Sequence, residues 1–483
     1  MKKKKRNKIV YIVSVIVTII SFIVLMAFSY TLLNLNMIPN KYLILFFLII
    51  SIFYSLLYLL TLIPNIKVVF KIIACLLLIV FSCGFQFGIR YVDVTIRFVD
   101  KINDNLFQNE EYYLITLENS QMVDVSSANG KIIGFYKNNS VNTESAVNSL
   151  KEKIAFTEED YDDVVTMFEQ LDDYKVDALL INASTKNLLE EDLSYLNVKI
   201  KELGTILVPI KTVDIVKVVD VTNTPFNIYI AGGDSYGTID KVTNTDVNII
   251  ITVDAKNHKL LLTSIPRDYY VHLSGMGEDA YDKLTHAGYY GIETSVKSIE
   301  ELLDIEINYY AKVNFSTVVD LIDIIGGITV YNDFEFCIPF DIPECYEQGN
   351  IDLTGARALM YARERMIFEG GDRMRQYHQQ QVLTAIINKI TSSTVLISKY
   401  SDILNSLEGV FQTNIDSKSI SKLIKFQLSD MKGWEIDSYS LNGTDFYTKN
   451  TFTFPNSKLY VMKPNVDTIE EAKQKIKQII NNR

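Results

Sequence analysis

The first 92 residues of this 483-residue chain contain no aspartate or glutamate, but they hold ten lysines and arginines. The whole chain has a formal charge of −11, so the remaining residues carry 37 Lys and Arg against 58 Asp and Glu, a charge of −21. A basic, apolar head therefore precedes an acidic body. The hydrophobic fraction of 48% excludes a wholly disordered, collagen-like or disulfide-dense chain.

Several sequence motifs are also absent, and each absence excludes a class of protein. No GxxxxGK[ST] segment occurs, which excludes a P-loop nucleotide enzyme. No GxSxG segment occurs, and no histidine is placed to serve a serine nucleophile. The four cysteines form no CxxC pair and no His–Cys spacing typical of zinc. The only strongly basic cluster adjoins an apolar run, which argues against a nucleic-acid surface.

Three apolar runs fill the basic head, at residues 9–33, 42–63 and 68–89. Each is long enough for the roughly 20 residues that a helix needs to cross a bilayer, and the first is too long for a cleaved signal peptide. The lysines near the N-terminus and around the second break favour a cytoplasmic N-terminus. We therefore predict a cell-membrane protein with three spans and a large extracellular C-terminal part.

The cysteines fit this topology. Cys75 and Cys83 lie in the third run and are interpreted as inert packing residues. Cys337 and Cys345 lie in the external body, where a disulfide is permitted. Spacing alone leaves open whether these two are bonded.

The body is predicted to be α/β. Residues 93–222 mix short β-rich runs with helical ones, as in a small accessory domain, and the acidic run Glu158–Asp163 is interpreted as a solvated helix N-terminus. From 223 to 465, β-branched runs alternate with helices, which predicts an α/β/α sandwich with its motif core at 226–390. Residues 466–483 are predicted to form a C-terminal helix or tail, and 1–92 the cytoplasmic tail and three spans.

Charged residues stand at predicted strand ends, where ligands bind in open α/β sheets. Arg267 and Asp268 end one strand, Asp234 follows the glycines of another, and Asp246 precedes a third. Two aspartates without a nearby His or Cys suit a hard cation such as Mg²⁺. The alternative is that these residues form structural salt bridges.

Further charged residues lie downstream. Arg363 and Arg365 are two apart, so their side chains point the same way if that segment is extended. Asp372, Arg375 and Gln379 share one face of a predicted long helix. Arginine forks suit phosphate, and together with a hard cation they indicate a pyrophosphate site.

The ordered motifs of this region resemble the catalytic domain of the LytR–CpsA–Psr family. The motifs are GGDS (232–235), TDVNIIITVDAKNHKLLLTSIPRD (245–268), KLTHAGYYG (283–291), YYAKVNF (309–315), IIGGITV (324–330), LTGARALMYARER (353–365) and GDRMRQYHQQ (371–380). Three spans and an accessory domain before these motifs look most like the capsular-polysaccharide CpsA (Wzg) branch.

The resemblance implies an Mg-dependent ligase that moves a glycopolymer from a polyprenyl-pyrophosphate carrier to peptidoglycan and releases polyprenyl phosphate. Asp234 and Asp246 would hold Mg²⁺, with Mn²⁺ as a substitute. Asp246, Asp372 and Arg267 would be catalytic, with a carboxylate of Asp246 or Asp372 taking the hydroxyl proton. The pyrophosphate ligands would be Arg267, Arg363, Arg365, Arg375, Gln379 and Lys283. The tail would need an apolar tunnel, which the segments at 318–327 and 386–390 could line.

Three positions depart from the family pattern. Asn244 and His378 stand where the family often has arginine, and Tyr236 follows the GxDS turn where an arginine is common. The resemblance therefore implies a less cationic phosphate site than is usual.

The implied partners are a polyprenyl-pyrophosphate-linked glycan, peptidoglycan, membrane lipid and capsule-assembly membrane proteins. Two other functions stay open: a membrane regulator of capsule synthesis that binds lipid pyrophosphates, and a polyprenyl-pyrophosphate hydrolase. Because the cytoplasmic part is a short tail and one turn, it is too small for a DNA-reading domain, and no nucleic acid is expected.

Overall fold

A computed structural model describes residues 2–64, 66–102, 107–137, 141–190, 192–211, 215–233, 239, 243–339, 343–392 and 399–481. The chain divides into two compact units. The smaller unit comprises Met1–Lys101, Ile397–Asn405 and Asp416–Lys432, and the larger comprises Ile102–Leu396, Ser406–Ile415 and Gly433–Arg483.

The smaller unit contains the predicted membrane helices, Lys2–Leu35, Asn40–Leu62 and Val68–Ile102. In the described part of the chain, three helices are long and apolar enough to cross a membrane, which confirms the predicted spans. Polar contacts between the helices centre on Thr61, whose hydroxyl lies 2.8 Å from that of Thr18 and whose carbonyl accepts from Lys71 Nζ at 2.8 Å. A helix far downstream, Ser417–Asp430, joins this unit through hydrogen bonds from Lys425 Nζ to the side-chain oxygens of Asn36 and Asn40.

The larger unit begins with a five-stranded sheet. Its strands are Phe107–Leu117, Ile132–Tyr136, Thr157–Tyr161, Ala178–Asn182 and Ile200–Lys211, and in space they follow the order third, second, fourth, first, fifth. Helices Val141–Lys151, Val164–Asp172 and Ala183–Glu190 accompany it. The strands carry long apolar side chains on both faces, and two buried clusters form, one containing Leu114 and the other Ile115. The predicted small α/β domain is therefore present.

The acidic run Glu158–Asp163 corrects one prediction. Its first part belongs to the edge strand Thr157–Tyr161, which pairs on one side only. The carboxylates of this strand are all exposed to solvent. The following helix begins at Val164, after Asp163 accepts a hydrogen bond from the Thr166 amide at 2.7 Å as its N-cap. Edge pairing, which local charge cannot reveal, determines the strand.

The second part of the larger unit is built on a mixed six-stranded sheet. Its strands, in spatial order, are Phe411–Thr413, Tyr309–Val313, Phe226–Gly232, Val247–Asp254, Lys259–Ser264 and Glu435–Ser440. The pairs Tyr309–Val313 with Phe226–Gly232 and Lys259–Ser264 with Glu435–Ser440 are parallel, and the remaining pairs are antiparallel.

Helices cover both faces of this sheet, which confirms the predicted α/β/α sandwich. On one face, Ile250 packs in a cluster with Val296 of helix Ile292–Leu303 and Ala472 of helix Val466–Asn481. The opposite face, carrying Ile230 and Ile249, meets helices Phe315–Ile324, Gly355–Arg363 and Asp372–Ser392.

Short elements surround the sandwich. They are helix Leu284–Ala287 and strands Tyr270–His272, Tyr281–Lys283, Ile328–Asn332, Phe336–Ile338, Glu344–Tyr346, Gly349–Leu353, Gly443–Thr448 and Leu459–Pro464. Most of helix Tyr400–Leu407 belongs to the smaller unit. The two sheets lie in one compact unit, and the proposed boundary between residues 222 and 223 stays a prediction.

Cys337 and Cys345 face each other on the two-stranded ladder of Phe336–Ile338 and Glu344–Tyr346 and are joined in a disulfide. On the same ladder the rings of Phe336 and Tyr346 stack with centroids 4.9 Å apart, and both side chains are buried. Antiparallel pairing thus brings the two sulfurs together. Sequence spacing alone left open whether they are bonded.

We expect thiol titration of the denatured, unreduced protein to find two free thiols, those of Cys75 and Cys83, and four after reduction. Replacing both Cys337 and Cys345 by serine should lower the free energy of unfolding of the larger unit by about 2–3 kcal/mol, because the crosslink no longer restricts the unfolded chain. The matched control replaces Cys75 and Cys83 by serine and should leave that free energy unchanged. Four free thiols before reduction would contradict the pairing.

Candidate functional site

Four strands reach the same edge of the six-stranded sheet, and the predicted charged residues follow or precede them there. Gly232 pairs with both Val247 and Val313, and Ile249 pairs with Ser264, so the end of one strand lies beside the start of the next. This register places Asp246, just before Val247, near Arg267, three residues after Ser264. Asp246 and Arg267 are therefore brought together at the strand ends.

Arg267 and Asp246 form the central ion pair of the edge. Nη1 of Arg267 lies 2.7 Å from Oδ1 of Asp246, and each side chain is only 8% exposed. The same Oδ1 accepts from Asn244 Nδ2 at 3.2 Å and from the Thr285 hydroxyl at 3.4 Å. Oδ2 of Asp246 is buried without a hydrogen-bond partner among the described residues.

The segment before Asp246 is held by close backbone packing against Gly288. A Cβ at Gly288 would collide with the carbonyl oxygen of Thr243, so only glycine permits the approach. The Thr245 amide also donates to the Thr285 carbonyl at 3.2 Å. The KLTHAGYYG motif thus positions the carboxylate of Asp246 as well as carrying charged residues of its own.

Arg375 adds a second buried cation. It forms an ion pair with Asp372 one turn earlier in helix Asp372–Ser392, and Gln376 Nε2 donates to Asp372 Oδ2 at 3.0 Å. Burial lowers the pKa of Arg375, Asp372 opposes that shift, and the positive charges of Arg267 and Arg365 lower the pKa further. Arg267 and Arg365 are therefore close enough to Arg375 to act on its charge.

Arg363 lies in a helix and not in an extended segment. Helix Gly355–Arg363 continues to Arg363, and Glu364 ends it, accepting from the amides of Met366 and Ile367 at 2.6 and 3.0 Å. The condition under which the side chains of Arg363 and Arg365 would point the same way is therefore not met. The guanidinium of Arg363 lies over the ring of Phe315, 4.2 Å from its centroid.

Arg363 and Gln379 lie beside an apolar cleft with an empty volume of about 650 Å³. The cleft lies between the central sheet and the three helices on that face. Its apolar lining includes Ile230, Val247, Ile249, Val318, Leu359, Val382, Leu383 and Ile386. Val318 and Ile386 belong to the two segments that were expected to line a lipid tunnel.

Lys283 joins the site from another strand end. Its Nζ lies 3.6 Å from Asp268 Oδ1 and 3.0 Å from Asp192 Oδ2, and Arg267 Nε lies 3.6 Å from Asp268 Oδ2. Asp192 was not predicted, because a lone acidic residue 91 positions before Lys283 gives no local signal. Its contact arises from the packing of the five-stranded sheet region beside the six-stranded one.

The predicted metal pair is only half described. Asp234 and Tyr236 lie outside the described residues. Across the described ranges, no group of three or more His, Cys, Asp or Glu side chains is placed to hold a metal ion. At this sheet edge, the buried and unpartnered Oδ2 of Asp246 has the chemistry of a cation ligand.

His378 does not take the place of a phosphate-binding arginine. Its ring is buried between aromatic side chains, 4.2 Å from the Tyr361 centroid and 5.6 Å from that of Phe336. Burial lowers the pKa of His378 to about 4, so the ring is neutral near pH 7. The cationic cluster therefore consists of arginines and Lys283, without a contribution from His378.

Comparisons with curated proteins and solved structures find several similar proteins. A polyisoprenyl-teichoic acid–peptidoglycan teichoic acid transferase, TagU, from Bacillus cereus AH820 is 36% identical over 192 residues, covering 40% of this chain and 61% of the relative. Biofilm regulatory protein A from Streptococcus mutans is 34% identical over 218 residues, covering 42% and 53%. The crystal structure of B. subtilis TagV has 28% identity and a TM-score of 0.45, covering 54% of this chain and 99% of that one.

The match therefore spans about 60% or less of the length of these curated relatives. The family model described as the LytR_cpsA_psr family matches residues 194–475, which is more than half of the chain and includes both the arginine cluster and the apolar cleft. The chain belongs to the LytR–CpsA–Psr family.

Proposed function

We propose that this protein is a membrane-anchored phosphotransferase that moves a glycopolymer from a polyprenyl-pyrophosphate carrier to peptidoglycan and releases polyprenyl phosphate. The observation that carries the proposal is the group of arginines at the sheet edge, in which Arg267 and Arg375 are buried and Arg365 acts on Arg375, together with an apolar cleft on the face of the same sheet. A lipid pyrophosphate has the matching chemistry: a compact anion joined to an apolar tail.

The charge of the cluster supports a phosphate ligand. Arg267 and Arg375 are both buried. Asp246 and Asp268 lie against Arg267, Asp372 pairs with Arg375, and the charge of Arg365 also acts on Arg375. A pyrophosphate would supply further negative charge and acceptors for the guanidinium forks. Gln379 and Lys283 are placed as additional donors.

The cleft supports a lipid tail. Its lining is mostly apolar, and the polar residues in it are Asn314, Arg363 and Gln379. Such a surface favours hydrocarbon through the hydrophobic effect. The three membrane helices would keep the enzyme where the carrier is dissolved, with a cytoplasmic N-terminus and the catalytic region outside.

The comparisons support the reaction class. The related TagU is named for teichoic acid transfer to peptidoglycan. This chain would act on a glycopolymer of the same general class, and capsular polysaccharide stays the predicted member of that class.

In this mechanism an acceptor hydroxyl attacks the phosphorus that carries the glycan. Arg267, Arg365 and Arg375 hold the charged oxygens and stabilise the charge that develops on the leaving polyprenyl phosphate. Asp246, through its free Oδ2, would hold Mg²⁺ together with Asp234. A bound Mg²⁺ supplies charge neutralisation at the phosphate oxygens.

Arg267→Ala in the full chain should reduce transfer to below a tenth of wild type, because the pyrophosphate loses a buried fork and Asp246 loses its partner. The assay combines the protein in nanodiscs with a polyprenyl-pyrophosphate-linked glycan, Mg²⁺ and peptidoglycan, and detects the phosphodiester-linked product. Arg357→Ala is the matched control, since Arg357 pairs with Glu344 at 2.6 Å outside the cluster and should leave transfer unchanged.

Other outcomes of that assay would contradict the proposal. Binding of the lipid pyrophosphate by wild type without any transfer would favour a regulator. Release of free glycan phosphate alone would favour a hydrolase. Arg267→Ala retaining more than a tenth of wild-type transfer would show that the pyrophosphate site is assigned wrongly.

Removing divalent metal with EDTA should abolish transfer, and Mg²⁺ should restore it. Asp246→Asn should weaken the binding of Mn²⁺, measured by electron paramagnetic resonance on the full chain, at least tenfold. Asp352→Asn is the control, because that carboxylate accepts from Thr329 on an exposed strand pair. Full transfer in EDTA, or unchanged Mn²⁺ affinity in Asp246→Asn, would contradict the metal assignment.

A further inference from the structure

A second cavity is lined in part by Arg267 and shares no lining residue with the apolar cleft. It is open to solvent, and its volume of about 20 Å³ has room for one water molecule or one hydroxyl group. Unlike the cleft, it is lined by polar and charged side chains from both sheet regions of the larger unit. They include Asn187, Asp192, Arg267, Lys283, His286 and Tyr289.

His286 is held in this wall by a buried carboxylate. Its Nδ1 lies 2.7 Å from Oδ1 of Asp282, which is completely buried. Asp282 Oδ1 also accepts from the Lys283 amide at 2.7 Å, and Oδ2 accepts from the Thr453 amide at 2.6 Å. Burial raises the pKa of the Asp282 carboxyl, but His286 and Thr453 outweigh burial and the net shift is downward. The carboxylate is therefore ionised and accepts a hydrogen bond from Nδ1–H of His286.

The other ring nitrogen of His286 is available for chemistry. The residue is 5% exposed, with the ring packed against those of Tyr289 and Phe454. Nε2 has no hydrogen-bond partner among the described residues, and it is not among the fully enclosed polar atoms. His286 is one of the residues that line the cavity. A carboxylate that fixes Nδ1–H leaves Nε2 with the lone pair of a general base.

The rest of the cavity suits a polyhydroxylated ligand. The amide of Asn187 donates to the Tyr289 hydroxyl at 3.3 Å, and Lys283 is paired with Asp192. Amide, phenol, ammonium and carboxylate groups together offer both donors and acceptors to hydroxyl groups. Arg267 belongs to the cavity wall and to the proposed pyrophosphate site, so a ligand here would lie next to the phosphorus.

We propose that this cavity receives the attacking hydroxyl of the saccharide acceptor and that His286 is the general base that deprotonates it. This proposal rests on the proposed transferase function. The hydroxyl oxygen forms a bond to the glycan-linked phosphorus, and the bond from that phosphorus to the bridging oxygen breaks. Polyprenyl phosphate leaves with the electron pair, and the hydroxyl proton moves to Nε2 of His286. Asp282 is a positioning residue that holds the ring and stabilises the imidazolium.

The two carboxylates first expected to take this proton are otherwise engaged. Asp246 accepts Arg267, Asn244 and Thr285 on Oδ1, and Asp372 is paired with Arg375. His286 has neither an arginine partner nor a second hydrogen bond among the described residues. The proposal also gives the accessory region a role, because it supplies Asn187 and Asp192 to the acceptor cavity.

The first test replaces His286 by Asn in the full chain in nanodiscs. The amide can still donate to Asp282 from the Nδ1 position but offers no base. We expect kcat for transfer to peptidoglycan to fall about 100-fold, a typical loss for a general base, while binding of a fluorescent polyprenyl pyrophosphate is unchanged. His272→Asn, which alters a histidine paired with Glu301 outside the cavity, should behave as wild type. His286→Asn retaining more than a tenth of wild-type kcat would overturn the proposal.

The second test separates a base from a structural residue. In His286→Ala, added imidazole should raise transfer at least tenfold without changing the wild-type rate. Asp282→Asn should lower kcat about tenfold and leave the KM of both substrates unchanged. A folded His286→Ala protein that imidazole does not restore, or an Asp282→Asn effect confined to KM, would count against the assignment.

The third test does not depend on the His286–Asp282 pair. Asn187→Ala should raise the KM for peptidoglycan fragments at least fivefold without changing the affinity for the lipid pyrophosphate. An unchanged KM would exclude the cavity as the acceptor site even if the His286 variants fail to fold. Absence of product from wild type would instead refute the transferase function, so the two failures are distinguishable.

Discussion

The ion pair between Arg267 and Asp246 connects the rest of the site. It joins the start of one strand to the end of the next, and both side chains are nearly excluded from water. A buried charge is tolerated only with a close partner, so removing either residue would leave the other uncompensated. Arg267 also lines the polar cavity beside His286, which shares no lining residue with the apolar cleft on the sheet face.

The concentration of arginines at one sheet edge explains how an acidic protein would bind the proposed phosphate ligand. The chain after residue 92 carries a formal charge of −21, so its general field repels anions. The arginines are concentrated at one sheet edge, where burial strengthens their interaction with a nearby anion. The acidic field away from the site would disfavour nonspecific binding of anionic wall polymers. Selectivity would therefore come from the cavities and not from net charge.

Much of the fold could be predicted because its signals are local. Apolar runs of sufficient length reveal the membrane helices, and β-branched strands alternating with amphipathic helices reveal the sandwich. Strand-end placement also predicted that Asp246 and Arg267 meet. Long-range pairing was less accessible. The edge strand Thr157–Tyr161 is formed by its neighbour, and Asp192 reaches Lys283 only through packing of the two sheet regions. The helical conformation of Arg363 could not be predicted, because the sequence does not show that the helix continues to Arg363 and ends at Glu364.

The central claim is that the arginine cluster and the apolar cleft bind one lipid pyrophosphate together. Photo-crosslinking tests it most directly, using the full chain in nanodiscs and a polyprenyl pyrophosphate with a diazirine near the first isoprene units. The account predicts labelled peptides from helices Phe315–Ile324 and Asp372–Ser392, suppressed by unlabelled polyprenyl pyrophosphate but not by the corresponding alcohol. Labelling restricted to the three N-terminal helices, or equally suppressed by the alcohol, would contradict it.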